Sequence, residues 1–182
     1  MRNFQRKRIR LPIARYKGRV RCFLTLCTHE RRRFFEKDEI AKWLLSELRS
    51  IAESQQLLLH SWCVMPDHVH LLVEGAHDRC DVLLFVSKLK QRTSHEAKRL
   101  WHFDLWQGRF YDYILRERES FAQVASYIWL NPVRAGLCGD GREYPYSGSA
   151  TMNWKEFVRS AEEWLPSWKA EPSKNCNSKM PG

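Results

Sequence analysis

Two apolar runs, Leu57–Met65 and His68–Glu74, separated only by Pro66 and Asp67, constrain the fold more than any other feature of the chain. Proline fixes one backbone angle and an aspartate side chain can bond the backbone two residues on, so Met65-Pro66-Asp67 has the chemistry of a turn and the runs pair as an antiparallel hairpin. Their near-continuous hydrophobicity predicts strands covered on both faces, hence a central place in a sheet with a layer on each side. Successive side chains of a strand point to opposite faces, so His68 and His70 share one face while Val69 takes the other. Two imidazoles in a covered space can converge on a metal ion. A buried, hydrogen-bonded core histidine is the plainer alternative, and His-x-His alone does not choose between them. Cys63, on the preceding strand, stays open as a further ligand.

Other elements can be placed around this hairpin. Arg19–Thr28 is rich in strand formers and predicts a first strand. Glu36–Ser54 predicts a helix with Asp38 as its cap and Ile40, Trp43, Leu44, Leu48 and Ile51 along one side. Asp81–Leu100 predicts a second helix with Leu84, Phe85, Leu89 and Leu100 as core positions. Leu105–Glu117 is aromatic and β-prone, broken by Gly108, and supplies one or two further strands. A third helix, capped by Ser120 and running to about Leu130, buries Phe121, Val124, Ala125 and Ile128. Gln123, Tyr127, Asn131 and Arg134 line a different face at helical spacing. Pro132 biases Asn131 away from helical angles, so the helix ends or kinks there. Either Asn131 caps a short following helix that starts at Pro132, or its amide is a ligand one turn from Tyr127.

The charge is concentrated at one end. Residues 1–33 hold twelve Lys and Arg against the single acid Glu30, which is +11 of a chain whose net charge is +10. A basic arm followed by a balanced body points to a polyanionic partner, most often nucleic acid, with an anionic membrane surface or a merely solvated tail as the alternatives. Arg6, Lys7, Arg8 and Arg10 are the arm's candidate DNA contacts. Lys88, Lys90 and Arg92 on the second helix are either a solvated face or a phosphate-tracking surface. Arg109, interleaved with Trp106, Phe110, Tyr111 and Tyr113, suits base stacking with phosphate contact, although sheet packing accounts for the same aromatics. The six cysteines contain no Cys-x-x-Cys pair and read as free thiols in a reducing compartment. No apolar segment follows the basic start as a secretory signal would need, and no run approaches the ~20 residues that span a bilayer. The expected organisation is a basic arm at 1–18, one catalytic domain at 19–150 and a largely flexible tail at 151–182.

Three stretches in this order, Val64-Met65-Pro66-Asp67-His68-Val69-His70-Leu71-Leu72, Leu105-Trp106-Gln107-Gly108-Arg109-Phe110-Tyr111 and Tyr127-Ile128-Trp129-Leu130-Asn131-Pro132-Val133-Arg134-Ala135-Gly136-Leu137, resemble the REP-associated tyrosine transposases. These belong to the single-tyrosine HUH superfamily, named for histidine, hydrophobic residue, histidine. The resemblance implies an α+β fold, a ferredoxin-like antiparallel sheet with helices and the HUH motif on a central strand. It implies cleavage and rejoining of single-stranded DNA at palindromes that fold into hairpins, through a covalent 5′-phosphotyrosine. Carried onto this chain, Tyr127 is the nucleophile, His68 and His70 are metal ligands, and Asn131 is the third ligand. Two imidazoles and an amide oxygen suit Mg²⁺ or Mn²⁺, the nitrogens favouring Mn²⁺. Arg134 joins the arm, Lys88, Lys90, Arg92 and Arg109 as an expected DNA contact. The expected partner is hairpin-bearing single-stranded DNA, with no membrane, in a monomer or homodimer of the bacterial cytoplasm associated with the nucleoid. Two alternatives are a hairpin-binding protein that no longer cuts and a metal-dependent hydrolase that uses water.

Overall fold

The computed structural model describes residues 11–116, 121–153 and 155. Strand β1 (Arg21–Cys27) leads through short 3-10 turns into helix α1 (Asp38–Ser54). The hairpin of β2 (Leu57–Met65) and β3 (His68–Gly75) follows, then helix α2 (Val82–Trp101) and strand β4 (Tyr111–Ile114). Helix α3 (Phe121–Trp129), the short α4 (Asn131–Arg134) and an edge strand β5 (Ser147–Gly148) complete the described chain. The strands form one sheet in the order β4-β1-β3-β2-β5, with every pair antiparallel. The first four strands, taken with α1 and α2, have the ferredoxin-like β-α-β-β-α-β succession. The strand that carries both histidines is the middle one of five.

The hairpin closes with Met65 opposite His68, so Pro66 and Asp67 are its two-residue turn. Nearly every residue of β2 and β3 is buried, as their unbroken apolar runs require. One face of the sheet presents Leu24, Leu26, Val64, Val69, Leu71 and Val73 to α1 and α2. The opposite face presents Phe23, Cys63, Met65 and Leu72 to α3. Because His68 and His70 alternate with Val69 and Leu71, they lie on the α3 side.

Several local expectations need correction. Asp38 does not cap α1: Lys37 holds the cap position, and Asp38 instead binds Lys42 one turn on and the Tyr146 hydroxyl. Asp81 lies before α2 as its cap, accepting the Leu84 N–H at 3.0 Å. Leu84 and Leu100 are 47% and 43% exposed. The buried stripe of α2 is Val82, Phe85, Val86, Leu89, Thr93 and Ala97, and a helix buries only one such face. Ser120, the proposed cap of α3, lies outside the described residues.

Packing reaches beyond 19–150 at both ends. Tyr16 is fully buried and its hydroxyl bonds Asp112 across the sheet edge. At the other end Thr151 bonds His60, and Met152 packs against the α3 core. Among the described residues no helix is long and apolar enough to cross a membrane.

Candidate active site

The break after α3 follows from Pro132. Lacking an N–H, it cannot give the Ile128 carbonyl its helical hydrogen bond. The Asn131 side chain takes that place: its Nδ2 donates to the carbonyls of Tyr127 at 2.8 Å and Ile128 at 3.3 Å. Leu130, not Asn131, is therefore the N-cap of α4, and Asn131 is its first residue. These bonds orient the amide and leave Oδ1 as its acceptor. Arg134 Nη1 donates to the same Tyr127 carbonyl at 2.9 Å, and its guanidinium lies 4.9 Å from the centre of the Tyr127 ring. The end of α3 is thus tied down around Tyr127.

Tyr127, 2% exposed, reaches the sheet between two rings. Its ring meets Phe23 and His70 edge-on, each at 6.3 Å between centroids. Phe23 also stacks on His70 at 5.4 Å. The two histidines face each other, His68 Nε2 3.1 Å from His70 Nε2. Behind them each Nδ1 has a partner: Asp67 Oδ1 lies 2.5 Å from that of His68, and Thr25 Oγ1 lies 2.9 Å from that of His70. Arg31 donates to the other Asp67 oxygen at 3.4 Å. Burial works to raise the Asp67 pKa, but the hydrogen bond from His68 and the nearby Arg31 guanidinium outweigh it, so the carboxyl stays below its ordinary range.

Residues 18–131 match the family described as Transposase IS200 like. The chain belongs to this family. An Escherichia coli K12 REP-associated tyrosine transposase is 26% identical over 92 residues, 49% of this chain and 52% of its own length. A candidate REP-associated tyrosine transposase of Haemophilus influenzae is 26% identical over 136 residues, covering 69% and 77%. The fold is similar, with a TM-score of 0.64 at 21% identity, to a REP-associated tyrosine transposase solved bound to a REP hairpin; the match covers 76% of this chain and 80% of that one.

The expected site residues of the chain fall into four groups. His68, His70 and Tyr127 come together on the α3 face, and Asn131 and Arg134 join them through Tyr127, whose carbonyl both bind. Arg109 is exposed in the segment before β4, at the sheet end where Cys27 pairs with His68. Lys90 is engaged next to it, its ammonium donating to the carbonyls of Gln107 at 2.7 Å and Gly108 at 2.9 Å. Lys88 and Arg92 stand on α2, across the sheet from Tyr127, and Arg92 pairs with Glu47 at 2.6 Å. Arg6, Lys7, Arg8 and Arg10 lie outside the described residues. Trp106 serves the core, donating its indole N–H to Thr93 Oγ1 at 2.8 Å and packing on Phe35.

The histidine pair has the chemistry of a divalent-ion site. Two nitrogens held at ~2.1 Å from one octahedral ion at a right angle lie about 3.0 Å apart, close to the separation found here. Cys63 is a poor third ligand, since complete burial pushes its thiol well above the ordinary range and keeps it protonated. Asp67 stands behind His68 rather than beside both rings. Among the described residues, no three His, Cys, Asp or Glu side chains form a metal-binding group. Among the described residues a third protein ligand would therefore be of another type, which is the role the resemblance assigns to the Asn131 oxygen. Phe23 and Thr25 were not singled out from the sequence. Their alternation within β1 puts them on one face, but only the register, with Thr25 opposite His70, brings that face to the histidines.

Proposed function

We propose that the chain is a metal-dependent single-stranded DNA transposase and endonuclease that cuts and rejoins DNA beside a hairpin. The observation that carries this reading is the packing of the Tyr127 ring against His70, whose Nε2 converges with that of His68. The hairpin as partner rests on the likeness to the solved hairpin complex and on the basic balance of the chain.

His68 and His70, with the Asn131 oxygen, would hold Mg²⁺ or Mn²⁺, which supplies polarisation of the scissile phosphate and offsets the charge that builds up in transfer. The Tyr127 phenolic oxygen attacks the phosphorus, and the bond from phosphorus to the 3′ oxygen breaks. The phenol proton leaves to solvent and the departing 3′ oxygen takes one up. The products are a 5′-phosphotyrosine and a 3′-hydroxyl, and the phosphotyrosine keeps the energy needed for the reverse step. Arg134, across the Tyr127 ring, adds positive charge where the phosphate would sit.

The near-complete burial of Tyr127 favours a second reading, a hairpin-binding protein that does not cut. One assay separates the two. With labelled hairpin-bearing single-stranded DNA and Mn²⁺, the wild type is expected to form an SDS-resistant adduct and Tyr127→Phe none. Tight binding with no adduct under any divalent ion supports the second reading. An adduct that persists in Tyr127→Phe moves the nucleophile elsewhere, and cleavage without any adduct makes water the attacking group.

A further inference from the structure

The outer partners of the two histidines differ in kind, and the difference sets their proton positions. A carboxylate only accepts, so His68 Nδ1 carries a proton at its 2.5 Å contact with Asp67, and in the neutral ring, the form that can bind a cation, Nε2 is then a lone pair. At 3.1 Å from that lone pair, His70 Nε2 must be the donor. His70 Nδ1 is then an acceptor, and Thr25, 2.9 Å away, is its donor. The result is a chain from the Thr25 hydroxyl through two neutral imidazoles, His70 and His68, to the Asp67 carboxylate, with one proton on each link. Ligation by both Nε2 atoms needs His70 in its other tautomer, with the proton on Nδ1. A threonine hydroxyl can accept as readily as donate, so Thr25 can receive that proton, whereas a second carboxylate would fix the ligating tautomer permanently.

We propose that Asp67 and Thr25 are the positioning residues of the histidine pair: Asp67 locks His68 with its lone pair turned inward, and Thr25 lets His70 change from hydrogen-bond donor to metal ligand. The inference rests on the ion-binding reading given above. The loop that delivers Arg31 to Asp67 supports it, because Glu30 and Arg31 both adopt positive φ, 52° and 56°. Two consecutive non-glycine residues in that region are costly and persist where surrounding contacts enforce them.

The test uses full-length protein with ¹⁵N-labelled histidine. Two-bond ¹⁵N–¹H correlations are expected to place the metal-free His68 proton on Nδ1 and the His70 proton on Nε2. Adding Mg²⁺ should move the His70 proton to Nδ1. Mn²⁺ titrations followed by the EPR signal of the free ion should show affinity about 10–100-fold weaker in Thr25→Val and Asp67→Ala, with Thr25→Ser restoring it. His70 found with its proton on Nδ1 before metal is added would overturn the switch. Thr25→Val and Asp67→Ala binding Mn²⁺ as wild type does, while His68→Ala abolishes binding, would overturn the positioning roles alone. Unchanged binding in His68→Ala would remove the ion site itself and with it the reading on which this inference stands.

Discussion

Phe23 touches both halves of the proposed chemistry, so its replacement separates packing from catalysis. It is fully buried, stacked on His70 and edge-on to Tyr127 and to Tyr111, the last at 6.0 Å. Phe23→Ala removes the ring from a site closed by α3, at a cost of about 3–5 kcal/mol. At ~2–4 °C per kcal/mol for a chain of this size, the midpoint of thermal unfolding should fall by roughly 6–20 °C. Phe23→Leu keeps most of the apolar volume but gives up three ring–ring interactions worth ~0.5–1.5 kcal/mol each, so about 2–3 kcal/mol is expected. That variant should fold at 25 °C and still react slowly. Without the ring, Tyr127 and His70 can shift by something like 1 Å, which at a reacting centre costs on the order of 10²-fold. Urea unfolding gives the first quantity and the rate of adduct formation with Mn²⁺ gives the second. A folded Phe23→Leu protein that forms adduct at the wild-type rate would refute the positional argument; a Phe23→Ala loss below ~1 kcal/mol would refute the packing argument.

Three further outcomes follow from the same structure. Acidification should destabilise the fold through His60: burial lowers its pKa against the opposing pull of Glu74, so the folded chain holds it neutral while the unfolded chain takes up a proton as pH falls through about 6.5. Glu74 is also held below its ordinary value, because the Arg21 and His60 hydrogen bonds outweigh burial, and its contribution is lost at lower pH still. Urea midpoints should therefore drop from pH 7.5 to 5.5, and drop less in His60→Leu; equal slopes would exclude His60 as the group responsible. Gly75→Ala should cost about 2–4 kcal/mol, combining overpacking with loss of the hydrogen bond from Gly18 N to the Cys80 carbonyl, and calorimetry would measure it. The added Cβ would lie 2.0 Å from the Gly18 carbonyl oxygen and 2.7 Å from Cys80 Cβ. Deleting residues 1–10, and no more because Tyr16 is core, should weaken hairpin-DNA binding and flatten its salt dependence by ~0.7 in log–log slope for each phosphate the arm neutralises. An unchanged slope in a salt titration would show that the arm touches no phosphate.

The central hairpin was legible because two unbroken apolar runs beside a Pro-Asp turn leave few alternatives to a buried strand pair. The helices were legible as elements and less so as faces: periodicity admitted Leu84 and Leu100 to the core, where only the packed sheet decides which stripe of α2 is covered. Pro132 marked the break after α3 but could not say that Asn131 would spend its amide nitrogen on the Tyr127 and Ile128 carbonyls. Register was the part that could not be read. That Thr25 falls opposite His70 depends on how β1 slides against β3, and one residue of slip would turn Thr25 to the other face. His60 was invisible for a related reason. The irregular step between Leu59 and Ser61 leaves its backbone without a register partner in β3 and lets both His60 and Ser61 meet α3, His60 against the Phe121 ring at 4.5 Å and Ser61 on the Ala125 carbonyl at 3.1 Å.

These contacts bear on how a helix can serve as the platform for the proposed nucleophile, Tyr127. Residues 124–129 of α3 are all buried, although the sheet can cover only one side of a helix. The other side is closed by chain beyond residue 131, where the family match ends. Gly141 packs so closely on the Trp129 ring that a Cβ there would lie 3.4 Å from it, and the Tyr144 hydroxyl donates to the Val64 carbonyl at 2.8 Å. Tyr146 reaches back to Asp38 at the start of α1, and β5 pairs with β2 through Trp62 and Cys63. The end of the helix at Trp129 is therefore covered by Gly141, and Tyr144 and Met152 pack against the apolar cluster that α3 shares with the sheet. A helix packed on more than one side keeps its place without depending on its intrinsic stability, which for nine residues is marginal in isolation. In this chain the segment past the matched family region thus helps to hold the helix that carries Tyr127, and Arg134, also past that region, meets the Tyr127 carbonyl and ring directly.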